Sequence, residues 1–159
     1  MATMEIDKLT SYINLRIGTE DFAISVYKVL EIIQLEQLTH VPNSSAYVPG
    51  VLNFRGSIVP VIDMHKRFNM KCQESTNKMV VVVDISNREK KVMMGLLVDQ
   101  VTNVIEFEYK NIKAVPEIGI KYNPEFIEGF IEQDGKFIMV LNIDRVLSIQ
   151  ELAEIDNIK

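Results

Sequence analysis

Acid–base, nucleophilic and metal chemistry in proteins depends on histidine, cysteine and paired carboxylates, and this sequence is poor in all three. It contains two histidines, His40 and His65, and one cysteine, Cys72. The histidines form no HxxxH pair, and Cys72 has no second cysteine for a CxxC cluster or a disulfide. Asp63 and Asp84 each end an apolar run, where a solvated carboxylate is ordinary. We therefore expect a reduced spectator thiol and no metal site.

Motifs for phosphate binding and for an activated serine are also missing from the sequence. It has no GxGxxG, GxxxxGK[ST] or GxSxG segment. Because general bases and nucleophiles are so few, the sequence predicts no catalytic residue, no cofactor and no enzymatic activity. The expected class is a binding module, and an acidic small-barrel enzyme or ligand binder has no residues to support it.

Composition points to a folded protein in the cytosol. The chain has 159 residues, of which 47% are apolar and 25% charged, values typical of a globular domain. A net charge of −5, with 65–67 (HKR) as the most basic run, argues against binding to nucleic acid or to a membrane surface. No apolar run approaches the roughly 18–20 residues that cross a bilayer. The first eight residues lack the layout of a secretory signal.

Alternating apolar residues predict a mainly β fold. Ile13, Leu15 and Ile17 alternate with polar positions, which is typical of a half-buried strand. A turn is predicted at 18–21, and the continuous apolar run 80–83 indicates a strand buried on both faces. Later the period lengthens, and four apolar residues three positions apart predict a C-terminal helix that packs on the β-strands or forms a partner surface: Val146, Ile149, Leu152 and Ile155.

The second half of the chain repeats the first. Three segments align in the same order, namely 22–33 with 94–105, 47–52 with 126–131, and 58–62 with 137–141, and the offset grows from 72 to 79. Short helical turns are expected at matching places, 43–47 and 123–126. We interpret this as one domain, 9–159, made of two pseudo-repeated β-subdomains at about 12–70 and 79–147, with the chain ends packing across.

One predicted hairpin carries an exposed charge. Segment 50–63 is predicted to form a strand, a tight turn and a second strand, because Asn53 and Gly56 both tolerate positive φ. Arg55 then lies at the tip, either as a solvated turn residue or as a contact residue. Its counterpart in the repeat is Asp134. Since the two turns have opposite charge, we expect the two ends of the molecule to bind different partners.

These residues also carry a family likeness. The segment 50–63, GVLNFRGSIVPVID, closely resembles the G-V-x-N-x-R-G-x-I-x-P-V-x-D signature of the CheW-like domain family. Segment 29–32 looks like the V-x-E-I element of that family, and 95–101 is similar to its G-x-x-V-D-x-V element. The likeness runs from Tyr12 to Leu147. Phe54 replaces the leucine most common at its position, which is a volume-tolerant apolar change.

The resemblance implies a fold of two SH3-like five-stranded β-barrel subdomains with short helical turns and a C-terminal helix. It also implies a non-enzymatic adaptor that joins the cytoplasmic tip helices of chemoreceptors to the regulatory domain of the CheA histidine kinase. Such a protein is expected in the cytoplasm, recruited to membrane-attached receptor arrays, and monomeric when free. The alternative is a CheW-like regulatory domain belonging to a larger kinase or to a CheW–receiver fusion.

Transferring the family motifs residue by residue gives a candidate partner-binding set. The resemblance implies that Val29 and Ile32 offer apolar surface to a receptor helix, although both also suit a β-core. Glu31 and Arg55 are expected to pair with each other or with charges on a partner. The full predicted set for receptor and kinase binding is Val29, Glu31, Ile32, Gly50, Asn53, Arg55, Val98 and Val101.

Overall fold

Ten β-strands dominate the computed structural model, which describes residues 9–42, 45–70, 78–86, 90–114 and 124–146. The helical elements in this part are one short helix, α1 (Met64–Arg67), and four 3-10 turns. The prediction of a mainly β fold is therefore confirmed. In chain order the strands are β1 (Leu9–Ile17), β2 (Glu20–Ser25), β3 (Val29–Gln34), β4 (Gly50–Phe54), β5 (Ser57–Asp63), β6 (Met79–Asp84), β7 (Met93–Val98), β8 (Gln100–Glu108), β9 (Ile127–Gln133) and β10 (Lys136–Leu141).

The strands form two five-stranded sheets, each the wall of a small SH3-like barrel. Barrel A has the strand order β8-β1-β2-β10-β9, and barrel B has the order β3-β6-β7-β5-β4. Barrel B is thus built from one continuous stretch of chain, 29–98, and barrel A from the strands before and after it. This confirms the two predicted five-stranded barrels.

The sheets do not follow the predicted ranges 12–70 and 79–147. β2 pairs in parallel with β10, and β7 pairs in parallel with β5. Each half of the chain therefore gives its first hairpin to one barrel and its last three strands to the other. As a description of the barrels the sequence ranges are wrong, because consecutive order along the chain does not determine which strands pair. The outer domain limits, 9 and 159, stay a prediction.

Strand register matches the sequence repeat residue by residue. Ala23 of β2 pairs with Val140, as Gly95 of β7 pairs with Val61. Irregularities also coincide. The β1–β8 register shifts where β8 passes from Val101 to Asn103, and the β3–β6 register shifts where β3 passes from Val29 to Glu31. These positions are 72 residues apart, so each half has a bulge at the same place.

Three apolar clusters form the core of the described residues. One lies inside barrel A and one inside barrel B. The largest, here named the shared core, draws residues from both sheets and lies between the barrels. In β6, Val80 and Val82 belong to the core of barrel B, whereas Val81 and Val83 belong to the shared core. Both faces of this strand are therefore covered, which explains its uninterrupted apolar run. Its predicted burial is confirmed, since all four valines are fully buried.

Within the described residues, the chain passes between the barrels at two places. The first crossover joins β2 to β3 through the 3-10 turn Val26–Lys28, and the second joins β7 to β8 at Asp99. The predicted helical turn near 123–126 is found as a 3-10 turn at Pro124–Phe126. The predicted C-terminal helix beyond Val146 and the thiol of Cys72 lie outside the described residues.

Candidate partner-binding surface

The β4–β5 hairpin ends in a two-residue turn that exposes an arginine. Arg55 has φ 50° and Gly56 has φ 83°, the pair of left-handed residues expected of a type I′ turn. Asn53, at the end of β4, accepts a hydrogen bond at its Oδ1 from the Gly56 amide at 3.0 Å. The sequence correctly placed the turn. Positive φ, however, falls on Arg55 rather than on Asn53, whose role is to close the turn through its side chain.

Arg55 lies beside Glu31 on the surface of barrel B. Its Nη2 is 3.7 Å from Glu31 Oε2, and the two side chains are 70% and 42% exposed. Its guanidinium also lies over the ring of Phe54, 4.8 Å from the ring centroid. An exposed pair at this distance contributes only about 0–1 kcal/mol to folding. Little stability is therefore lost when Arg55 turns toward another carboxylate.

The apolar residues beside this pair come from β3. Ile32 is 36% exposed, while Val29 is half-buried and packs against the shared core. Leu30, at the bulge, is 40% exposed. Of the two predicted apolar contact residues, Ile32 therefore presents surface, and Val29 serves partly as a core residue. Leu30 was missed because strand alternation does not reveal a bulge.

Two other predicted contact residues lie in the interior. Val98 is 1% exposed within the shared core, and Gly50 is buried. A Cβ on Gly50 would lie 2.5 Å from the carbonyl oxygen of Thr39, so this position has no room for a side chain. Neither residue reaches the surface in this conformation, and direct contact of Gly50 and Val98 with a partner stays a prediction. Val101 is half-buried and packs against the shared core.

Barrel A presents an equivalent surface of opposite charge. Asp134 and Gly135 have φ 53° and 78°, so the β9–β10 turn has the same left-handed pair as the β4–β5 turn. Ile58 and Phe137 follow the two turns at matching positions and are 49% and 61% exposed. The repeat aligns these two residues, but strand alternation alone does not show that both are exposed. Each barrel thus combines a charged tip with an exposed apolar residue.

Chemistry-bearing groups are sparse in the described parts of the chain. No group of three His, Cys, Asp or Glu side chains there is placed to hold a metal ion. Burial raises the pKa of Glu128, as does nearby Asp144, while Lys28 opposes them. Burial also raises the pKa of Tyr12, whose ring stacks on Phe107 at 4.3 Å.

Within the described ranges, no helix is both long and apolar enough to cross a membrane.

Fold and surface together define a two-barrel protein of the SH3-like class, with an exposed patch on each barrel. The family model described as "CheW-like domain" matches residues 11–151. The chain belongs to this CheW-like domain family.

Individual relatives agree with this assignment. A protein named Chemotaxis protein CheW from Rhizobium meliloti is 31% identical over 136 residues, covering 86% of each chain. Another of that name from Klebsiella aerogenes is 29% identical over 89% of this chain and 84% of its own. The crystal structure of the scaffolding protein TtCheW from Thermoanaerobacter tengcongensis superposes with a TM-score of 0.82. It is 23% identical and covers 91% of both chains, so the fold is shared.

Proposed function

We propose that this chain is a non-enzymatic adaptor that couples chemoreceptors to the CheA histidine kinase in chemotaxis signalling. Membership of the CheW-like domain family across residues 11–151 carries this proposal. It is supported by relatives named as chemotaxis proteins and by a structural neighbour named as a scaffolding protein. The adaptor acts in the cytoplasm, is recruited to membrane-attached receptor arrays and is monomeric when free.

Two separate surfaces suit an adaptor because it has to hold two partners at once. On barrel B, Arg55, Glu31 and Ile32 form an exposed surface with both charge and apolar area. This surface receives the helix at the cytoplasmic tip of a receptor, where apolar residues supply contact area and the charged pair supplies orientation.

Barrel A offers a second, differently charged surface. Asp134 replaces the arginine, and Phe137 is exposed beside it. A patch of reversed charge selects a different partner, since like charges that meet in an interface are repelled. The regulatory domain of CheA is assigned to the outer ends of the barrels, where it binds without displacing the receptor helix.

Reconstitution from purified parts tests this proposal. A receptor cytoplasmic fragment and CheA are mixed with and without the chain, and receptor-dependent kinase activity is measured. Control by the receptor is expected only when the chain is present, and sedimentation is expected to show one complex that contains all three proteins. The proposal fails if the chain binds neither partner, or if receptor and kinase couple equally well without it.

A further inference from the structure

A single carboxylate oxygen joins the two barrels at the second crossover. Asp99 Oδ2 accepts a hydrogen bond from the Gly18 amide at 2.6 Å and lies 2.6 Å from His65 Nε2. Gly18 belongs to the β1–β2 turn of barrel A, and His65 belongs to α1, which follows β5 of barrel B. Because an ionised carboxylate only accepts hydrogen bonds, Nε2 of His65 carries the proton. Asp99 therefore receives one donor from each barrel.

This link is largely shielded from water. His65 is 3% exposed and the Asp99 side chain 16% exposed. The Asp99 amide donates to the Arg16 carbonyl at 3.0 Å, which ties the same residue to barrel A a second time. Among the described residues, His65 Nδ1 and Asp99 Oδ1 have no hydrogen-bond partner. Buried polar atoms without partners are costly, so losing either hydrogen bond to Asp99 Oδ2 would add to the cost of these two atoms.

The first crossover also carries a polar link, and it is much more exposed. There Lys28 Nζ lies 3.4 Å from Asp144 Oδ1, with side chains 38% and 55% exposed. Asp144 corresponds to His65 in the repeat, since the offset of 79 residues that aligns 58–62 with 137–141 also aligns these two positions. An exposed pair of this kind contributes little. The link at the second crossover is therefore the more buried of the two, and it contributes more to holding the barrels together.

Apolar packing alone does not specify one angle between the barrels. The shared core is large, but apolar burial is non-directional, and cores accept alternative packings of similar volume. Hydrogen bonds from both barrels to one oxygen are satisfied over a narrow range of geometries. We propose that Asp99 is a positioning residue, which together with His65 fixes the angle between the two barrels and hence the separation of the two partner surfaces.

A distance measurement between the barrels tests the angle directly. Spin labels are attached to Gln34→Cys on β3 and Gln133→Cys on β9, both exposed, in a Cys72→Ser background. The parent is expected to give one narrow distance distribution. Asp99→Asn keeps the side-chain volume but loses the charge, and His65→Phe removes the donor, so both are expected to broaden the distribution. Asp144→Asn, which breaks the exposed link, is the matched control and is expected to leave it unchanged.

Reconstitution with receptor and kinase then tests whether coupling needs this fixed angle, an inference that rests on the proposed adaptor function. Asp99→Asn is expected to keep each separate affinity within about two-fold, whereas receptor-dependent kinase control falls about ten-fold, because the two bound partners are no longer held in register. A narrow distribution in both Asp99→Asn and His65→Phe overturns the positioning role, and if one variant does not fold, the other decides. If the parent chain itself fails to couple the partners, the adaptor function is wrong, and the distance measurement still decides the role of Asp99.

Discussion

Gly50 and Gly129 occupy the same position in the two barrels and approach a neighbouring backbone equally closely. A Cβ on Gly50 would lie 2.5 Å from the Thr39 carbonyl oxygen, and a Cβ on Gly129 would lie 2.5 Å from that of Lys113. In both barrels the neighbouring segment forms an isolated bridge to the residue that follows the glycine. These bridges cover the exposed edge of β4 in barrel B and of β9 in barrel A.

Replacement of either glycine is predicted to destabilise the protein. Gly50→Ala and Gly129→Ala force the bridging backbone away, because a fixed carbonyl cannot move as a side-chain end can. We expect each change to cost about 1–3 kcal/mol, measured as the free energy of unfolding in urea. Similar losses from the two variants are the expected result. A neutral result for either one would contradict the close approach in that barrel.

The charged pair on barrel B is predicted to matter for binding and little for folding. Arg55→Glu places a second negative charge beside Glu31. Because both side chains are exposed, the free energy of unfolding should change by less than about 1 kcal/mol. Affinity for a receptor fragment is expected to fall about ten-fold or more, measured by calorimetry. Arg145→Glu on barrel A is the matched control and should bind normally. A parallel loss of stability and affinity would show that the pair is structural.

The sequence predicted much of this fold because strands, turns and the repeat leave local signals. The apolar run at 80–83 and the hairpin around Arg55 were found where predicted. Pairing between distant strands leaves no such signal, and therefore the exchange of hairpins between the two halves could not be seen. The family motif likewise named Val98 as a contact residue, although a motif records that a residue is required and not whether it is exposed.

The repeat also predicts that a new ion pair can be built on barrel A. Asn103 corresponds to Glu31 and Asp134 to Arg55, so Asn103→Arg places opposite charges at the positions of the natural pair. We expect a gain of about 0.2–1 kcal/mol in unfolding free energy at low salt, which is lost at high salt. Asn103→Gln is the uncharged control. A gain that persists in high salt would mean that the stabilisation is not electrostatic.

Glu128 is predicted to make stability depend on pH. Partial desolvation of this otherwise exposed side chain and nearby Asp144 raise its pKa above the ordinary value of 4.5, and Lys28 offsets part of this. Because the folded-state pKa is the higher one, the contribution of this carboxyl is most favourable below 4.5 and is lost as pH rises through the folded-state pKa. The melting temperature of Glu128→Gln should therefore exceed that of the parent by a margin that grows as pH increases through this window. Glu132→Gln, on the same strand, controls for the change in net charge, and equal shifts in both variants would rule out a specific effect of Glu128.

Arg67 is predicted to join the two halves through aromatic stacking. Its guanidinium carbon lies 4.7 Å from the ring centroid of Tyr47 and 4.5 Å from that of Phe126, residues that match in the repeat, and its Nε donates to the Val146 carbonyl at 2.6 Å. Lysine keeps the charge but not the flat face or this donor geometry, so Arg67→Lys should cost about 1–2 kcal/mol of unfolding free energy. A double-mutant cycle with Tyr47→Leu isolates the stacking contribution. Strictly additive losses would mean that the contact between Arg67 and Tyr47 does not stabilise the protein.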